Sequence, residues 1–300
     1  MESKNRWYKS GEALLKEIKE SAALPGTAQI WYMGQHGFAF NLEGLVFYID
    51  VILNALPGKD GKDRRNYPPP FDPGEAQRVD YYICTHNHSD HLNLKTILPL
   101  AKANLKAKFI VPKPCVKILL EAGIEENRVL GARAGEAIDI PSMASSNQNG
   151  CETSIKVTPV PAVHTRFIQD EGEKDEKGDN CALGYIIKTG SLSIYHPGDT
   201  WITPGLADLL KAEGPLDLAV LPINGTDWER TSYGCIGNVN AMDAVKLAIA
   251  APIDLIIPCH YDMMSDNTEN PAYFVDCMYR HCPEKRFHIC ALGERFIYKK

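Results

Sequence analysis

From its amino end the chain sets short apolar runs between polar turns, and the period of those runs changes along its length. The segment SGEALLKEIKES (10–21) puts Leu14, Leu15 and Ile18 on one helical face, behind Ser10, a residue suited to capping. AQIWYM, GFAFNLE and LVFYID follow, rich in β-branched and aromatic residues and separated by turn residues, which predicts an antiparallel meander. KDGKDRRNYPPPFDPGE (59–75) is charged and proline-rich and reads as a surface loop near a cleft.

After the strand-like VDYYICT (79–85) the rhythm becomes that of alternating helices and strands. A helix near 92–104 leads to KFIVP, then PCVKILLEAGI to RVLGAR and EAIDI, with a polar loop at 142–151. In the second half SIKVTPVPAV, CALGYIIKT and LSIYHPGD read as strands and PGLADLLKAE as a helix. LDLAVLPIN reads as a strand, NVNAMDAVKLAIAA as a helix capped by Asn238, and IDLIIPCH as a strand. PAYFVDCMYRH predicts a last helix and FHICALGERFIYK a final strand or pair. Hairpins and β-α units in both halves predict an α/β fold of two sheets sandwiched between helices. The expected organisation is one domain over 1–300, with 1–27 as an N-terminal helical extension.

Composition narrows the function classes. A net charge of −6 argues against a general nucleic-acid or anionic-membrane binder, which would show a basic surface. The amino terminus, MESKNRWYKS, has no apolar signal core, and no stretch approaches membrane-spanning length. Nine cysteines without a C-x-x-C pair suit reduced thiols and predict a cytoplasmic protein. A homo-oligomer is compatible with the sequence, which does not specify one.

The candidate chemistry lies in THNHSDH (85–91), three histidines and an aspartate in seven positions. Crowded imidazoles repel when protonated and waste hydrogen bonds when buried without partners, so a ligand should justify them. His86 and His88 can converge on one ion, while Asp90 and His91, expected to begin the following helix, would aim at a neighbouring one. Three more ligand types close predicted strands: His164 after VTPVPAV, Asp199 after SIYHPG, and His260 after LIIPC. The set divides into His86, His88 and His164 for one cation and Asp90, His91 and His260 for a second. Asp199 would be shared, because a carboxylate has two oxygens. Two divalent ions per chain are expected; the histidines favour zinc, and the shared carboxylate admits manganese or iron.

The T-H-x-H-x-D-H motif, with later H, G-D-T and H at strand ends, resembles the metallo-β-lactamase-fold hydrolases over roughly residues 28–300. WYMGQHGFAF, FDPGEAQRVDYYICTHNHSDH, FIVPKPCVKILLEAGI, SLSIYHPGDT, CIGNVNAMDAVKLA and IIPCHYD are similar to the UlaG-like branch, the L-ascorbate-6-phosphate lactonases. That resemblance implies an αββα four-layer sandwich with the metal site at one edge of the two sheets. It also implies hydrolysis of a small phosphorylated sugar lactone by a metal-bridging hydroxide, with Asp90 carrying the proton to the leaving alkoxide. Asp50 resembles the family's aspartate that buttresses a metal-binding histidine.

His196, three residues before Asp199, is expected to support the ligands without joining them. His36, in MGQHG, is a candidate for the site rim and for substrate contact. A substrate phosphate would need a cation, and Arg166 and Arg230 are candidates, with Trp228 as a pocket wall. The competing reading is a phosphodiesterase or nuclease on the same metals, disfavoured for long nucleic acids by the acidic balance. A flavodiiron-type redox protein would carry glutamate where His88 stands.

Overall fold

The computed structural model of the chain describes residues 5–22, 24, 26–141, 154–232 and 234–300. Helix α1 (Gly11–Lys19) precedes the meander β1 (Thr27–Tyr32), β2 (Phe38–Leu42) and β3 (Leu45–Ile49). β4 (Tyr81–Ile83), α2 (Leu94–Ala103), β5 (Lys108–Pro112), α3 (Val116–Glu121) and β6 (Val129–Ala132) complete the first half. The second half runs β7 (Ile138–Pro141), β8 (Ser154–Pro161), β9 (Leu183–Lys188), β10 (Ser193–His196), α4 (Pro204–Ala212), β11 (Leu216–Pro222) and α5 (Trp228–Ser232). It continues through α6 (Ala241–Ala250), β12 (Ile253–Cys259), α7 (Pro271–His281), β13 (Arg286–Phe287) and β14 (Arg295–Lys299).

Two seven-stranded sheets result, ordered β14-β1-β2-β3-β4-β5-β6 and β13-β12-β11-β10-β9-β8-β7. Hairpin-connected strands pair antiparallel, as β1–β2–β3 and β8–β9–β10 do, and helix-connected ones pair parallel; β3 and β4, joined by the long 50–80 loop, are parallel too, and β14 pairs antiparallel with β1. Strand alternation sorts side chains between layers. In β2, Phe38, Phe40 and Leu42 enter the core between the sheets with Tyr185, Ile187, Val220 and Ile257 of the second sheet. Ala39 points outward, with Trp31, Tyr48 and Phe109, under Leu14 and Ile18 of α1 and Ile97 and Leu100 of α2. The outer face of the second sheet is covered by Leu210 of α4, Val245 of α6 and Phe274 of α7. Each such fully buried side chain contributes roughly 1.5–3 kcal/mol, so the αββα layering follows from where apolar faces can be hidden.

Several local expectations change. Helix α1 is a working part of the outer layer: besides burying Leu14 and Ile18, it holds the Trp31 indole N–H through Glu17 at 3.0 Å. Ser10 stands at its N-cap without making a side-chain capping bond. Helix α6 is capped by Asn240, whose side chain accepts from Asp243 N, while Asn238 Oδ1 accepts from Thr200 N at 2.7 Å beside a candidate ligand. Asp90 and His91 lie in a turn ahead of α2, which starts at Leu94 behind Asn93. The two final strands do not pair: β13 joins β12, and β14 crosses to the other sheet beside β1. The 142–151 loop lies outside the described residues.

Candidate metal centre

Within the first sheet β1, β3 and β4 run the same way, and within the second so do β8, β10 and β12. Their carboxyl ends meet at one edge, and every candidate ligand is in a loop that leaves this edge. After β4 the chain turns tightly, His91 N and Leu92 N both donating to His88 O at 3.0 and 2.8 Å. That turn brings the His86, His88 and His91 rings together, His86 lying 4.5 Å from His88 and 4.0 Å from His91 between centroids. Gly198 makes the close approach before Asp199: its φ is +62°, and a Cβ there would lie 2.7 Å from Thr85 Cβ. Gln35, Asp50 and His260 adopt φ between 49° and 58° without being glycine, so backbone strain collects at the centre.

Two nitrogen clusters face each other. His86 Nε2 and His164 Nε2 lie 2.9 and 3.1 Å from His88 Nδ1. Across from them, Asp90 Oδ2 lies 3.7 Å from His91 Nε2 and 3.8 Å from His260 Nε2. Asp199 stands between: Oδ2 is 3.7 Å from His164 Nε2 and 3.2 Å from His260 Nε2, and Oδ1 is 3.4 Å from His91 Nε2. All seven candidate ligands gather at one place, where His86, His88 and His164 form one close group and Asp90, His91 and His260 another, with His86 also near His91 and Asp199.

A layer of buried groups holds them. Asp50, just after β3, accepts from Thr85 N and Thr85 Oγ1 at 2.9 and 2.6 Å, and its Oδ2 lies 2.8 Å from His91 Nδ1. His36 Nδ1 is 3.1 Å from Asp199 Oδ1, and its ring stacks on His196 at 4.4 Å. His36 has no solvent exposure, so its expected place on the rim is corrected: the β1–β2 turn points it behind the carboxylate. His196 bonds His36 O at 3.0 Å, and its Nδ1 accepts from Gly198 N, next to Asp199, at 3.4 Å.

Gln35 was not singled out in the sequence. Its Nε2 donates to Asp90 Oδ2 at 2.9 Å, and its backbone carbonyl accepts from His260 N at 2.6 Å. Those partners are 55 and 225 residues away, so no local pattern could reveal them.

Burial, partly opposed by Asp199, pulls His36 and His164 down to about 4. It pulls His196 to about 3 and His86 well below the usual imidazole range. These rings are neutral at pH 7, the state that binds a cation. Burial works against charge at His91 too, but the Asp199, Asp50 and Asp90 carboxylates outweigh it and hold its proton on. Asp199 is buried yet kept well below the usual carboxylate range by His260 and His91. The cluster thus demands positive charge at the second group.

The candidate substrate contacts fare differently. Arg166 is exposed, its guanidinium over its own neighbour Phe167 at 5.7 Å, and lines none of the three cavities around the centre. Trp228 is 82% exposed on α5 and is not a pocket wall. Arg230 lines an outer cavity but is tied to Asp227 Oδ2 (2.7 Å), Asn224 O (2.7 Å) and Asn267 Oδ1 (2.9 Å). Trp201 instead pins the segment carrying His164, its indole N–H donating to Thr165 O at 2.9 Å. Glu173 of the 165–180 loop reaches the wall of the cavity shared by His86, His88 and His164.

The donor set fits divalent cations. His91 Nε2 is buried without a hydrogen-bond partner, facing two carboxylates, and on the other side His86 Nε2 and His164 Nε2 each lie within 3.1 Å of His88 Nδ1. A family model described as the beta-lactamase superfamily domain matches residues 50–261, which include all seven candidate ligands and Asp50. The chain belongs to the metallo-β-lactamase superfamily. Its fold and family are those of metal-dependent hydrolases. A probable L-ascorbate-6-phosphate lactonase from Shigella boydii is 22% identical over 282 residues, covering 85% of this chain and 75% of that relative. Among solved structures, the metallo hydrolase Igni18 from Ignicoccus hospitalis superposes with a TM-score of 0.65 at 17% identity, covering 91% and 99% of the two chains. An isothiocyanate hydrolase from Delia radicum gut bacteria gives 0.66 at 16% identity, covering 90% and 99%. Among the described residues, no helix of this superfamily member is long and apolar enough to cross a membrane.

Proposed function

We propose that this protein is a two-metal lactonase acting on a phosphorylated sugar lactone, such as L-ascorbate 6-phosphate. The observation carrying the two-metal reading is the place of Asp199, whose oxygens lie within 3.7 Å of nitrogens from both clusters. His86, His88 and His164 would hold one cation, Asp90, His91 and His260 the second, and Asp199 both. Zinc suits the five imidazoles, and manganese suits the carboxylates. Bound there, the cations supply Lewis acidity for the substrate oxygen and make a water acidic enough to react at neutral pH. The lactone reading is supported by the similarity to the Shigella boydii relative across most of both chains.

Asp90 is the proton carrier in this scheme. Gln35 engages its Oδ2, leaving Oδ1 to take the proton of the attacking water. The acyl C–O bond of the ring breaks, and Oδ1 returns that proton to the alkoxide, which stays tethered to the product. The cavity over Asp90, His88, His164 and His260 is about 220 Å³, and it opens beside a larger groove of about 670 Å³ lined in part by the same Arg64, Gly234 and Cys235. A cytoplasmic setting is supported by the described cysteines, all free thiols.

The test is kcat/KM for a phosphorylated lactone, the same lactone without phosphate, and a phosphodiester, after metal reconstitution of wild type and Asp90→Asn. Lactone turnover lost in the variant is the expected result. Efficient phosphodiester cleavage with no lactone turnover would replace this reading with a phosphodiesterase or nuclease.

A further inference from the structure

We propose that Arg64 is the substrate-anion anchor of this enzyme, at the junction between the metal-facing cavity and a larger outer groove. The inference rests on the lactonase reading for the identity of the reacting group, but not for the anion contact itself. Two cavities adjoin. The inner one, about 220 Å³, is walled by Asp90, Asp199 and His260, and the outer one, about 670 Å³, by Lys59, Asp60, Arg230 and Asp266. Arg64, Gly234 and Cys235 line both, and Arg64 is the only cation among these three.

Arg64 is held in place through its backbone. Its N–H donates to Leu56 O at 3.0 Å, and its carbonyl accepts from Ser265 N at 2.8 Å. The next residue, Arg65, is buried and donates to the carbonyls of Ile52, Asn54 and Tyr67, fixing the loop that carries both arginines. A backbone this constrained is not needed to present an ordinary solvated arginine.

The guanidinium is only partly used. Its Nη2 donates to Asp266 Oδ1 at 2.7 Å, its Nε is buried without a partner, and Nη1 makes no hydrogen bond to the described residues. Arg230, by contrast, spends its guanidinium on three partners, Asp227, Asn224 O and Asn267. Lys59 adds positive charge in the outer groove, against Asp60 and Asp266. A guanidinium with free donors, 38% exposed and next to a metal-binding cluster, suits a planar or tetrahedral oxyanion. The ligand class is therefore a small molecule whose reactive carbonyl sits in the inner cavity while a phosphate or carboxylate reaches Arg64. Asp266 sets the strength of that contact by competing for Nη2.

The experiment is calorimetric binding to the metal-loaded protein, with no turnover required. The probes are 6-phosphogluconate, gluconate and glucarate, in wild type, Arg64→Gln, Arg64→Lys and Asp266→Asn. Wild type should bind 6-phosphogluconate tighter than gluconate, by about 10- to 100-fold. Arg64→Gln should erase most of that preference and leave gluconate unchanged, and Arg64→Lys should restore part of it. Asp266→Asn should strengthen phosphate binding, an effect that loss of folding cannot imitate. Preference for glucarate over 6-phosphogluconate, dependent on Arg64, would identify the anion as a carboxylate. A phosphate preference undiminished in Arg64→Gln, or no anion preference in wild type, overturns the proposal. Arg64-dependent anion binding in a protein that hydrolyses no lactone would keep the anchor and reject the lactonase reading; lactone hydrolysis without it would do the reverse.

Discussion

Asp50 Oδ2 lies 2.8 Å from His91 Nδ1, and neither side chain has any solvent exposure. The pair fixes which nitrogen of His91 faces Asp90 and Asp199, since Nδ1 is engaged from behind. Thr85 orients the carboxylate in turn, through its backbone N–H and hydroxyl.

Asp50→Asn should therefore act on metal binding before it acts on chemistry. It removes the charge behind His91 while keeping an oxygen for Thr85. Supporting carboxylates of this kind are worth about 10- to 100-fold in metal affinity. Competition with a chromophoric chelator should show one of two ions weakened by that amount and the other nearly unchanged.

This pair was half legible in the sequence. Asp50 and His91 both stand out in it, because a carboxylate just after one strand and a histidine in a tight cluster after another carry recognisable chemistry. The seven candidate ligands are legible for the same reason. The layers were too, since the alternation of Phe38, Ala39 and Phe40 already separates an inner from an outer face. Contacts made across the fold were not legible. His36 looked like a rim residue because a hairpin turn does not reveal which way it points. Gln35 and Arg64 carried no motif, and their neighbours Asp90 and Asp266 are brought in by sheet packing. Asn238 was read as a cap because asparagine before a helix usually is one, but Asn240 wins the position and Asn238 serves Thr200.

Gln35→Leu should separate positioning from binding. Leucine keeps the bulk, and Gln35 Oε1 has no partner to lose, so the changes are loss of the 2.9 Å bond to Asp90 Oδ2 and of the 3.2 Å contact with His260 Nε2. A hydrogen bond to a charged group corresponds to about 1.5–3 kcal/mol. The expected outcome is a kcat lowered about 10- to 100-fold with KM little changed, measured at saturating metal. An unchanged kcat with a raised KM would place Gln35 in substrate binding instead.

Acid should destabilise the metal-free chain by a traceable route. His36 and His196 are held by burial to about 4 and about 3, below their unfolded value near 6.5. Their contribution is complete above pH 6.5 and is lost as pH falls toward 4, because the unfolded chain then binds protons that the folded one refuses. His91 and His260 have the opposite sign: their raised values favour the fold below pH 6.5, and that contribution fades as pH rises through their folded values. The melting temperature of chelated protein should pass through a maximum near pH 6.5. With cations bound, the His91 and His260 protons are displaced, so the alkaline decline should disappear. A monotonic rise from pH 6 to 9 in the chelated protein would contradict this assignment.

The central claim is that one carboxylate, Asp199, joins two cation sites. Elemental analysis of purified, metal-reconstituted protein tests it most directly, in wild type and Asp199→Ala, with circular dichroism to confirm that both are folded. Two divalent ions per wild-type chain, and weakened retention of both in the variant, is the result predicted here. One tightly held ion in wild type, kept unchanged by Asp199→Ala, would contradict it.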